Sequence, residues 1–239
     1  MYSRCVAVPP DQRDEYAALA EQAAKELDQS PAEDILAWAA DTFERDLCVA
    51  SSMGDALMVH MVARALPGVS VLFVDTGYHF PETLGTRDSV AAAHRVELLA
   101  LTPRQTVAEQ DSTFGPDLWS RDPDACCGLR KVEPLARGLE PFHAWVTGLR
   151  RDEAGTRRHV GVVEWDQKRS MVKVNPIATW SQAKTEAYMA ENGVLVNPLA
   201  DAGYPSIGCR PCTRAVAPGE DPRSGRWSGR SKTECGIHL

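Results

Sequence analysis

Seven cysteines punctuate the 239-residue chain, and four of them come in two pairs, Cys126-Cys127 and Cys209-Arg210-Pro211-Cys212. A CxxC turn brings two thiolates to one metal centre without strain. Two pairs supply the four ligands that zinc or a [4Fe–4S] cluster takes. Side chains of adjacent cysteines diverge in extended structure, which suits a cluster with irons at separate corners better than one zinc ion. Buried free thiols, or redox pairs with no metal, are the plain alternative. The odd cysteine count, the length of the chain and the lack of an export signal argue against a disulfide framework. Cys5 and Cys48 stand alone. Cys235 closes a basic segment behind Arg230 and Lys232, cations of the kind that favour a thiolate.

Two turns offer chemistry of a different kind. Ser51-Ser52-Met53-Gly54-Asp55 combines hydroxyls and a glycine with the free N–H groups of a helix start, a cradle for phosphate or sulfate. It is neither a Walker A loop nor a GxGxxG, and helix starts often carry such residues without a ligand. Asp75-Thr76-Gly77 follows the next strand. The carboxyl ends of adjacent parallel strands are where open α/β sheets bind ligands, so the two turns together mark one candidate site.

The elements that must position these residues are legible from apolar runs and breakers. LCVAS at 47–51 reads as a short buried strand, and ALMVHMVARAL after it as an apolar helix. VSVLFVDTG at 69–77 reads as the second strand. A helix from Pro81 to His94 follows, then a third strand, VELLAL, at 96–101. Strand and helix alternating in this way predict a parallel sheet covered on both faces. FHAWVTGLR at 142–150 adds a buried strand, and helices are predicted over 11–29, 31–45, 131–138 and 180–192. Residues 111–130, broken by Gly115-Pro116 and Asp122-Pro123, read as irregular. After Cys212 the chain is rich in Gly, Pro, Ser and Arg and lacks apolar periodicity. The expected organisation is an N-terminal helical segment at 1–45, an α/β domain with the cysteine pairs at 46–217, and a mobile tail at 218–239.

Composition bounds the function. With 44% hydrophobic and 25% charged residues the chain is globular in type. It has no run of eighteen apolar residues, so no membrane span is expected, and its first residues are too polar for a secretory signal. A cytoplasmic protein is the expectation. The net charge of -7 argues against a general nucleic-acid binder. Residues 1–50 hold 11 acids against four bases, whereas 204–239 hold six bases against three acids. An anionic ligand therefore meets the tail. The oligomeric state is open, and a homo-oligomer is compatible with the sequence.

Five phrases, in matching order, resemble one family: VDTGYHFPETL (74–84), CCGLRKVEPL (126–135), VTGLRRDEAGTR (146–157), CRPCTRAVAPGEDPRSGRW (209–227) and KTECGIHL (232–239). They look like the assimilatory adenylyl-sulfate reductases, the iron–sulfur branch of the adenylyl-sulfate and phosphoadenylyl-sulfate reductases, in the adenine-nucleotide α-hydrolase-like group. The resemblance covers residues 45–239. It implies thioredoxin-dependent reduction of adenosine 5'-phosphosulfate to sulfite and AMP through an S-sulfocysteine on Cys235, in sulfate assimilation and cysteine biosynthesis. It implies one [4Fe–4S] cluster on Cys126, Cys127, Cys209 and Cys212, and a preference for the nucleotide without a 3'-phosphate. Lys131 would stand between cluster and substrate, with Arg157, Arg223 and Arg226 toward the phosphosulfate. Ser51, Ser52 and Gly54 would hold its anionic end, while the backbone at 72–74 and Asp75, Thr76 and Gly77 would border the adenosine. The loop reads Ser-Ser-Met-Gly where relatives read Ser-x-Ser-Gly, which leaves open which serine faces substrate. His238 lies in the tail motif without a derived role.

Overall fold

The computed structural model describes residues 10–238; Cys5 lies outside them. The chain begins with two helices, α1 (Pro10–Glu26) and α2 (Ala32–Phe43). The alternating core follows as β1 (Leu47–Ala50), α3 (Leu57–Ala65), β2 (Ser70–Val74), α4 (Pro81–Ala93) and β3 (Glu97–Leu101). A fourth strand, β4 (Ala144–Val146), and a hairpin of β5 (Val163–Asp166) and β6 (Met171–Val174) complete the sheet. Among the described residues its six strands run in the order β3-β2-β1-β4-β6-β5. Every neighbouring pair is parallel except β5 with β6. This is the open, mostly parallel α/β sheet that the strand–helix alternation predicts.

The order reverses at β1: the chain runs outward through β2 and β3 on one side of it, then returns to place β4 on the other. That reversal opens a crevice at the carboxyl ends of the strands, where a ligand can enter between diverging loops. The strands that flank it are apolar on both sides. Val49, Val71, Phe73, Ala144 and Val146 are fully buried in one core with Ile35 and Leu36 of α2 and Ala20 and Ala23 of α1. The two N-terminal helices thus share the core of the sheet, and α1 lies against β5 and β6.

Two regions differ from the sequence expectation. Residues 111–130 are largely helical: α5 (Val107–Phe114), α6 (Leu118–Arg121) and α7 (Pro123–Cys127) lead into a π-helical turn, Gly128–Val132, and then α8 (Glu133–Leu139). The breakers end one short helix and start the next. Thr106 forms a capping box with Glu109, and the Asp122 side chain accepts from Ala125 N–H with Pro123 at the helix start. The second difference is the β5–β6 hairpin. Its charged residues Glu164 and Lys173 are cross-strand partners and hide the alternation of an edge strand. The helix at 180–192 is observed as α9 (Gln182–Glu191), with the Ser181 hydroxyl accepting from Lys184 N–H. Residues after Cys212 fold back on themselves through an antiparallel bridge between Thr213 and Arg226, and Trp227 is buried. No helix among the described residues is long and apolar enough to cross a membrane.

Candidate active site

The loop after β1 is held open by its own residues. Met53 takes a left-handed conformation, φ 58°, with its side chain fully buried. Its N–H donates to the Ser51 hydroxyl at 3.2 Å. The Met53 carbonyl accepts from the Asn197 side chain at 3.0 Å, and Gly54 O accepts from Asn197 N–H at 3.1 Å. Ser51 is therefore committed to the turn, while Ser52 is exposed at the rim. Asp55 accepts from Leu57 N–H at 2.9 Å, and burial pushes its carboxyl pKa up.

Ser51, Ser52 and Gly54 line a cavity of about 590 Å³ at the carboxyl ends of the strands, within the size range of small-molecule sites. Leu72 and Val74 of β2 line it too, as do Lys131, Arg157, Arg223, Arg226 and Cys235. Of the next turn only Thr76 reaches the cavity. Asp75 lies 3.7 Å from Arg87 and accepts from Gly77 N–H at 3.1 Å. Gly77 is exposed over Arg130, whose nearest atom would stand 3.0 Å from a Cβ at that position. Asp75 and Gly77 support Thr76 and do not border the cavity.

The four paired cysteines converge. Cys126 and Cys127 come from the end of α7, Cys209 and Cys212 from the loop after α9, and all four line one small cavity with Lys131, Arg130 and Trp227. Lys131 and Trp227 also line the large cavity, so they form a shared wall. Thr76 Oγ1 lies 3.3 Å from Cys209 Sγ. Burial, then repulsion from the other three thiols, pushes Cys126 up to about 12; burial pushes Cys127 up to about 11 against the pull of Lys131 and Lys232. Burial opposes the charge on Lys131, yet Cys209, Cys235 and Cys127 raise its pKa overall. Among the described residues no group of three or more His, Cys, Asp or Glu side chains is drawn tightly enough for a single metal ion.

Two arginines brace this architecture. Arg130 is buried; its Nε donates to Thr76 O at 2.5 Å, its Nη1 to Gln110 Oε1 at 3.1 Å, and it lies over the Tyr78 ring. Arg226 packs on Trp227 with its guanidinium 4.6 Å from the ring centre, and its buried Nε has no partner. Burial lowers its pKa. A side chain at Gly208 would press on that guanidinium, with Arg226 Cζ 2.5 Å from the new Cβ.

The C-terminal segment is docked, and this brings Cys235 to the cavity. Arg169 Nη2 donates to Ile237 O at 2.6 Å, and Ile237 packs against the cluster of Cys48, Leu72, Leu135 and Trp145. The His238 ring stacks on Trp145, centroids 5.6 Å apart and planes inclined by 14°. Lys232 pairs with Asp124, and Arg230 donates to the Ser120 hydroxyl at 3.2 Å.

Residues 46–215 match the phosphoadenosine phosphosulfate reductase domain family. The chain is 60% identical over 225 residues to the adenosine 5'-phosphosulfate reductase of Streptomyces coelicolor, covering 94% of this chain and 95% of that protein. It is 53% identical over 221 residues to the protein of that name from Mycolicibacterium smegmatis, covering 92% and 94%. Among solved structures it is similar to the phosphoadenylyl-sulfate reductase from Candida auris in a phosphate complex. That match has a TM-score of 0.68 at 28% identity, over 88% of this chain and 99% of that one. Yeast FAD synthetase in complex with FAD shares the fold alone, with a TM-score of 0.53 at 12% identity over 88% and 77%.

Proposed function

The chain belongs to the phosphoadenosine phosphosulfate reductase family, and on that footing we propose that it reduces adenosine 5'-phosphosulfate to sulfite and AMP with a thioredoxin as electron donor. The observation that carries this reading is the meeting of Cys235, Lys131, Arg223 and Arg226 with the Ser51–Gly54 loop around one cavity. A thiol in that place faces an electrophile, and cations surround the position where negative charge would gather.

The Cys235 thiolate attacks the sulfur of the phosphosulfate. A sulfur–sulfur bond forms, the sulfur–oxygen bond to phosphate breaks, and its electron pair leaves with AMP. Lys131, Arg223 and Arg226 stabilise the charge that moves onto the phosphate. Guanidinium groups match multi-oxygen anions in shape as well as charge. One thioredoxin thiolate then attacks the Cys235 sulfur and displaces sulfite, and the second resolves the mixed disulfide, restoring the Cys235 thiolate and leaving thioredoxin oxidised. The docked tail must swing outward for that second step, since Cys235 lines the interior cavity. Sulfite formed this way serves sulfate assimilation and cysteine biosynthesis, and the chemistry belongs in the reducing cytoplasm.

Cys126, Cys127, Cys209 and Cys212 would hold a [4Fe–4S] cluster. Their fit rests on the donor set: four thiols around one cavity, two of them pushed far from the thiolate form by burial, make an unfavourable group unless cations join them. When bound, the cluster supplies that cationic charge. Lys131, in the wall between the two cavities, is then fixed where it can meet the substrate's anionic end.

The test is an anaerobic incubation with adenosine 5'-phosphosulfate and no thioredoxin. Intact-mass measurement should show a gain of about 80 Da on Cys235, the mass of one transferred SO₃, with one equivalent of AMP released. Cys235→Ser should form no adduct yet still bind nucleotide. An adduct on Cys48, or sulfite produced by Cys235→Ser, would overturn the reading.

A further inference from the structure

The small cavity that gathers the four thiols has an inner and an outer wall. Cys126, Cys127 and Cys209 are buried, and so are Arg130, Lys131 and Trp227 around them. Cys212 is half-buried, so the thiol set comes nearest to solvent at that corner. The remaining lining residues, Tyr78, Trp119 and Pro123, are half-buried as well and form the outer wall. Neither Tyr78 nor Trp119 borders the large cavity.

The two rings are held by different means. Tyr78 is fixed from several sides: its N–H donates to Thr76 Oγ1 at 3.2 Å, its carbonyl accepts from Arg210 N–H at 2.8 Å, and the Arg130 guanidinium lies 5.2 Å from its ring centre. Trp119 stands on α6, a helix of four residues in which Leu118 is buried. Asp117, just before it, is left-handed, φ 55° and ψ 42°, and accepts from Trp119 Nε1 at 3.1 Å. Asp is one of the few side chains that take this conformation. Arg121 ties down the turn, its Nε donating to Pro116 O at 2.9 Å and its Nη2 to Phe114 O at 2.5 Å. Asp117 is exposed. The polar edge of the indole is therefore satisfied on the solvent side, and its apolar body is left for the cavity wall.

On the reading that the four thiols hold a cluster, we propose that Trp119, angled by Asp117, is the outer cover of the cluster cavity and sets how fast dissolved oxygen reaches it. Tyr78 is the fixed part of the same wall. The apolar shell around a metal site controls solvent access to it, and here one aromatic side chain on a short helix closes the exposed corner.

The test is the decay of the cluster's visible absorption when anaerobically prepared protein is moved into air-saturated buffer. Trp119→Ala should bleach about tenfold faster than the unaltered protein, the scale on which residues enclosing a metal site tune it. Trp119→Phe and Asp117→Gly should each fall between, at about threefold: the first keeps a ring, and the second keeps the left-handed backbone without the acceptor. Phe114→Ala, an exposed side chain outside the wall, should bleach at the unaltered rate. Bleaching of Trp119→Ala at the unaltered rate overturns the proposal. Equal acceleration by Phe114→Ala does so too, since it would mark a general loosening of the short helices. If Trp119→Ala takes up no cluster, the other two variants decide, and acceleration in neither overturns it. A colourless unaltered protein would instead sink the cluster reading. The cover is then read from iodoacetamide labelling of Cys126, which Trp119→Ala should speed by the same factor and which, left unchanged, refutes it.

Discussion

Lys131 and Arg226 are the side chains whose positions say most about the chemistry. Both line the large cavity; one is buried in the wall it shares with the four thiols, and the other keeps a free donor. Lys131→Ala and Arg226→Ala should each slow adduct formation on Cys235 by about 2–4 kcal/mol, typical for removing one group aimed at developing charge. Single-turnover AMP release checks this, with an unchanged circular dichroism spectrum as control. Gly208→Ala should mimic Arg226→Ala in the same assay, because a Cβ there pushes the charged guanidinium away from its place in the cavity wall. Cysteine spacing and the resemblance named the thiols, Lys131 and the tail arginines from sequence, and the structure gathers them. Ser51 and Asp75 show the limit of that reading: each spends its polar atoms on its own loop or on Arg87. Arg130 and Asn197 were not legible because their work is done across 54 and 144 residues of sequence, with no local pattern to mark it.

Among elements, the C-terminal segment carries the most consequence. Its anchors include an Arg169 bond to Ile237 O, a ring stack of His238 on Trp145 and the Lys232–Asp124 pair, which leave no apolar rhythm in the sequence. The β1–β3 core was readable for the opposite reason, since buried parallel strands are continuous apolar runs. The short helices between residues 107 and 127 were hidden by the prolines that start them. Docking holds His238 well below the ordinary histidine range, through burial first and then the cations Lys173, Arg157, Arg169 and Arg223. An undocked His238 titrates near about 6.5, so docking favours the neutral ring. Tail docking is therefore at full strength above about pH 7 and weakens by about tenfold for each pH unit below about 6.5. Hydrogen exchange of tail amides, corrected for intrinsic pH effects, should show this loss between pH 7.5 and 5.5. His238→Gln should abolish the dependence.

At the scale of the whole molecule, the two N-terminal helices and the docked tail close on one sheet, and the candidate site sits where its strand order reverses. Cys127 and Cys209 stand 82 residues apart in sequence and line the same small cavity. A cluster bonded to both pairs would act as a cross-link, and the chain-entropy relation for covalent bridges assigns about 4.5 kcal/mol to a loop of that length. Protein stripped of iron by oxidation and chelation should accordingly lose its brown colour and melt about 10 °C lower, measured by calorimetry against the anaerobic form. On the proposed reading the segment from Cys209 onward holds the nucleophile, and such a cross-link would add to the Lys232–Asp124 pair in tying it to α7. Oxygen would then disarm this protein without ever touching Cys235: by cutting the inorganic stitch it would let the reactive end of the chain drift from the groove it was fastened to.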